Sequence, residues 1–84
     1  MPVISYFYGI TIRMYFRQAE HNPPHVHAVY GDHEAAIGIR SKELLDGEIP
    51  FKAYNLVKEW IDLYEEALLH IWETQDFVRL PPLE

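Results

Sequence analysis

His25 and His27 stand one residue apart in the segment His21-Asn22-Pro23-Pro24-His25-Val26-His27. On an extended strand that spacing puts both imidazoles on one face. Histidine is the side chain whose ordinary pKa lets it trade a proton near neutrality, and its neutral ring is also a common metal ligand. The two prolines ahead of the pair fix the backbone and so deliver the chain onto the strand at a defined angle.

Three chemistries could use this pair. As metal ligands, His25 and His27 with His21 or Glu34 as a third donor could hold a divalent transition metal such as zinc, nickel or iron. If Asn22 to Pro24 run as polyproline, His21 lies about 12 Å from His25 at 3.1 Å per residue, so a bend at Asn22 is required. As an acid/base pair near neutral pH, the histidines could work with Arg13 or Arg40 holding a phosphate. That is the equipment of a metal-independent ribonuclease or a phosphoryl-transfer enzyme. In the third case the histidine face is a non-enzymatic docking surface for an acidic partner chain.

The elements that must position these residues are legible. Residues 3–8 and 10–17 are rich in β-branched and aromatic residues and read as two strands around Gly9. Residues 18–24 form a loop. Residues 25–30 and 34–40 form two more strands joined through Gly31-Asp32-His33, and Leu44-Leu45 begins a short fifth before the Asp46-Gly47 turn. After Pro50 the apolar positions 53, 56, 57, 60, 61, 64, 67, 68, 71 and 72 make one helical stripe. An unbroken helix over 51–75 would be roughly 36 Å long, and a kink near Leu63–Tyr64 is expected. The fold class is α+β: a four- or five-stranded antiparallel sheet with one face covered by a long, kinked C-terminal helix. The chain reads as one domain, β-rich over 1–49, helical over 50–76 and extended over 77–84.

If Tyr30 pairs with His33, then Ala28 faces Ala35 and Val26 faces Ile37. Those residues join Tyr30, Ile39, Ile10, Ile12, Met14 and Phe16 on the apolar face. His25, His27 and Val29 take the other face, opposite Ala36, Gly38 and Arg40 and beside Arg13, Tyr15 and Arg17. The expectation is a pocket floor of positive character, with Arg13 joining the histidines in chemistry and Tyr15, Arg17, Tyr30 and Arg40 binding. Trp60, Trp72, Tyr54 and Tyr64 fall to the core, while His33 and His70 are incidental.

Composition sets the bounds. The 84 residues include no cysteine, which removes disulfides and thiolate sites. The net charge of −6 argues against a protein that coats nucleic acid indiscriminately. The deficit lies beyond residue 40, whereas four of the five histidines precede it. The N-terminus lacks the basic and apolar regions of a signal peptide, and no apolar run spans a bilayer, so the expectation is a cytoplasmic protein without membrane contact. There is no phosphate loop and no nucleophile elbow.

The block HNPPHVHA followed by Tyr30-Gly31 carries a resemblance. With the opening MPVIS, Glu34-Ala35, Gly47-Glu48-Ile49-Pro50 and the helix LVKEWIDLYEEALLHIW, the chain resembles the small bacterial family catalogued as domain of unknown function 4160. Its matching positions are His21, Pro24, His25, His27 and Tyr30. Tyr64 stands where members often carry histidine, and Ile71 near a frequent asparagine. Genes of the family often adjoin those of another small family, an arrangement that looks like a toxin–antitoxin pair. The resemblance thus implies a toxin-like protein partnered by a small protein from the adjacent gene; joined to the acid/base reading of the histidines, the expectation is action on RNA or a nucleotide. A homo-oligomer is left open.

Overall fold

The structure, a computed structural model, describes residues 2–15 and 23–84. Its strands are β1 (Val3–Phe7), β2 (Ile10–Arg13), β3 (His25–Tyr30), β4 (His33–Gly38) and β5 (Leu44–Gly47). Two helices follow, α1 (Phe51–Leu63) and α2 (Glu65–Thr74). The strands form one antiparallel sheet in chain order.

Both tight hairpins have their physical cause in the turn residues. Tyr8 and Gly9 have φ of 50° and 79°, the left-handed backbone that two-residue hairpins favour. At the second hairpin Tyr30 pairs with His33 across Gly31-Asp32, which sets Ala28 opposite Ala35 and Val26 opposite Ile37, the expected register. Parity then sorts the side chains. Ile10, Ile12, Met14, Val26, Ala28, Ile37 and Ile39 are completely buried, while Arg13, His25 and His27 on the other face keep partial exposure. Phe16 lies outside the described residues.

Three strands are shorter than the sequence suggests, the first by one residue at Phe7. The one expected over 10–17 stops at Arg13. The one expected over 34–40 starts at His33 and stops at Gly38, because the Lys42 N–H donates to the Gly38 carbonyl at 3.0 Å and closes a turn. Lys42 sits there with φ of 59°. Arg40 is consequently carried into an exposed turn instead of continuing the sheet face.

The helical stripe packs on the sheet through Ala53, Val57, Trp60, Ile61, Leu68, Ile71 and Trp72. The expected break falls at Tyr64, whose φ of −117° interrupts the helix and whose N–H donates to Trp60 and Ile61 carbonyls. An unbroken rod of roughly 36 Å would overshoot a molecule whose longest dimension is 30 Å. The tail does more than trail away. Leu80 N–H donates to Ile4 O at 2.8 Å, Trp60 Nε1–H donates to Pro81 O at 2.8 Å, and Leu83 is buried. The tail therefore covers the outer edge of β1. Among the described residues no helix is long and apolar enough to cross a membrane.

Candidate functional site

β3 carries His25 and His27 on the face away from the core, opposite Gly38 and Ala36 of β4. These small residues leave a cleft of about 550 Å³ lined by Pro23, His25, His27, Ala36, Leu45 and Asp46. A smaller recess continues it past Glu34 to Gly47.

Each ring is held through Nδ1. His25 Nδ1–H donates to the Pro23 carbonyl at 2.9 Å. Because a carbonyl only accepts, this bond fixes the proton on Nδ1 and leaves Nε2 as an acceptor in the neutral ring. His27 Nδ1 lies 3.4 Å from Glu34 Oε2, and the Tyr15 hydroxyl donates to the same oxygen at 3.2 Å. The Tyr15 ring also abuts His27 edge-on, with centroids 4.2 Å apart. The two imidazoles are 5.1 Å apart. His25, at the end of the sheet, also meets the Trp72 indole of α2 at 5.1 Å.

Burial holds the His27 pKa below the ordinary imidazole value of 6.5, His25 adds to the shift, and Glu34 and Asp46 oppose it. Burial, followed by the Glu34 hydrogen bond and charge, raises the Tyr15 phenol, with Arg13 opposing. His27 is thus neutral at pH 7 and able to take a proton.

Between the lowered folded pKa and 6.5 the unfolded chain binds more protons at His27 than the folded one. Its contribution to stability is therefore constant above 6.5 and is lost as pH falls through that window. Urea unfolding from pH 8 to 5 should show stability falling with acidification, with a shallower slope in His27→Gln. An unchanged slope would contradict this burial effect.

The structure brings His25, His27 and Tyr15 together and sets Arg13 directly across from His27 on β2. It does not bring Arg40, which is in the turn after β4. Tyr30 ends β3 on the other face, beside Gly9. His21 and Arg17 lie outside the described residues. Among the described residues the cleft lining departs from the expected positive floor: it contains no arginine or lysine and ends in the carboxylates of Asp46 and Glu34. Among the described residues no three His, Cys, Asp or Glu side chains gather closely enough to hold a metal ion.

A family model described as Domain of unknown function (DUF4160) matches residues 9–73. The chain belongs to that family. Neither the curated proteins nor the solved structures yield a match. The DUF4160 match spans all of β3, β4 and β5 and so contains the whole cleft.

Three members of the site escaped the sequence reading in their actual roles. The sequence offers Glu34 as a third metal ligand, whereas its carboxylate lies against His27 Nδ1 and orients that ring. The register offered the signal, since Glu34 pairs with Val29, two residues from His27 on the same face. Asp46 joins because β5 pairs it with Ala36, itself opposite His27. Trp72 is a core residue, as expected, and in addition supports the His25 ring.

Proposed function

We propose that this DUF4160 protein is a histidine-dependent acid/base catalyst acting on RNA or a nucleotide, the toxin-like member of a pair with a small partner protein in the cytoplasm. The single observation that carries the reading is the pair of imidazoles anchored through Nδ1, one by a carboxylate and one by a carbonyl, at the wall of a cleft. A carboxylate behind the imidazole holds its tautomer and stabilises the imidazolium that forms when the ring acts as a base.

In the reaction so supported, His27 Nε2 takes the proton of a ribose 2′-hydroxyl. The 2′-oxygen bonds to the adjacent phosphorus as the bond to the 5′-oxygen breaks. His25 in its protonated form gives a proton to that leaving oxygen. The products are a 2′,3′-cyclic phosphate and a 5′-hydroxyl, and no metal ion is required. Arg13, across from His27, supplies a cation for the phosphate.

The test is incubation of the purified protein with single-stranded RNA in the presence of a chelator, with end-group analysis of the fragments. Cyclic phosphate termini that disappear with His27→Ala are the expected result. Intact RNA, or termini that persist in the variant, would refute the assignment.

A further inference from the structure

The sheet's two edges are treated differently. The tail covers β1 through the Leu80–Ile4 hydrogen bond, whereas among the described residues nothing pairs with the outer side of β5. All of β5 is exposed, including Leu44 at 45 % and Leu45 at 42 %. Uncovered edges that present apolar side chains are templates for strand addition, and soluble proteins usually blunt them with lysine or proline. Here the flanking charges are acidic: Glu43, Asp46 and Glu48. Lys42, the nearest cation, is engaged by Glu65 and Asp62 of the helices.

The cleft opens beside this edge, with Leu45 and Asp46 of β5 forming one wall and His25 and His27 the other. Its polar chemistry is one-sided. Both Nδ1 donors are already committed, so the neutral rings offer Nε2 acceptors, and Asp46 and Glu34 offer carboxylates. A complementary group would be a cation rich in N–H donors on an apolar stem, and arginine has both.

The geometry points to β5 and the cleft as one continuous docking surface for an extended, arginine-bearing segment of a partner protein, which adds as a sixth strand and inserts a guanidinium beside Asp46 and the histidines. A strand added about 4.8 Å outside β5 turns alternate side chains toward the cleft face. A second copy of this chain fits poorly, because antiparallel pairing of two β5 strands would set the same carboxylates against one another. Such a segment would cover His25 and His27 and shut whatever chemistry they perform. The inference does not rest on the ribonuclease reading.

The experiment is an amide and imidazole NMR titration of the full chain with a synthetic heptapeptide alternating valine and arginine. Expected are saturable shifts at residues 44–47 and at the His25 and His27 rings, with slowed amide exchange along β5. Replacing the peptide's arginines by glutamates, or the exposed pair Asp46→Lys with Glu48→Lys in the protein, should weaken binding about tenfold or more. Methylating the peptide's backbone nitrogens on its pairing edge should do the same while leaving the protein unaltered. Absence of binding, shifts confined to the acidic helix face, or equal affinity for the glutamate peptide would overturn the proposal. Concentration-dependent shifts of the β5 amides without peptide would instead identify a second copy as the occupant. The titration needs no turnover, so its failure is distinct from failure of the RNA reaction.

Discussion

His27→Ala should lower the rate of RNA cleavage by roughly 10²- to 10⁴-fold, the usual contribution of a positioned acid or base. The effect follows from what the ring is bound to. Glu34 holds Nδ1, burial keeps the ring neutral, and the remaining nitrogen is the one available to a substrate. Alanine removes the proton acceptor and leaves the Glu34 carboxylate with the Tyr15 hydroxyl alone. Glu34→Gln should also lower the rate, since its amide oxygen can still accept from Nδ1 while the charge that stabilises an imidazolium is gone. Rates are compared at pH 7.5 with circular dichroism confirming the fold. A His27→Ala protein that cleaves at the native rate would remove His27 from the mechanism.

Trp60→Ala should be the most damaging single truncation of the fold. The indole is completely buried and packs on Phe7 and Tyr64, with centroids 5.6 Å away in each case. Its Nε1–H also ties down the tail at Pro81. A buried Trp→Ala change typically costs about 3–5 kcal/mol. A chain of 84 residues has a total stability of about 4–13 kcal/mol at the usual value per residue. The loss is therefore a large fraction of the total, and the variant should unfold at a markedly lower urea concentration than the native chain. Trp60→Phe keeps most of the packing and loses the hydrogen bond, for about 1–2 kcal/mol. Urea unfolding of both measures the difference, and a loss below about 1.5 kcal/mol for alanine would contradict the central packing role.

Much of the architecture was legible because it depends on local periodicity. Alternation in Ile10–Arg13 and His25–Tyr30, together with a two-residue turn at Gly31-Asp32, determines which side chains share a face. The helical stripe and the break near Tyr64 follow from spacing and from the limited length of the sheet beneath. The site was legible only where it depended on parity: His25 and His27 were placed with Tyr15 and opposite Ala36 and Gly38. Electrostatics was less accessible. The positive floor was inferred from arginines alone, yet Arg40 leaves the face through a turn that depends on the Lys42–Gly38 hydrogen bond. The carboxylates arrive from β5, whose register shifts between Ala36 and Ile37. A shift of this kind has no signature in hydrophobic pattern. Trp72 beside His25 is a contact between the sheet's end and α2 that depends on how the helix restarts after Tyr64.

The most direct measurement is the protonation of the two rings by long-range proton–nitrogen NMR at pH 7.5. With Nδ1 of His25 on the Pro23 carbonyl and Nδ1 of His27 on Glu34, the neutral form of each ring should carry its proton on Nδ1 and leave Nε2 bare. A ring found as the other neutral tautomer, with its proton on Nε2 and Nδ1 bare, would contradict the arrangement on which both the acid/base reaction and the arginine docking surface depend.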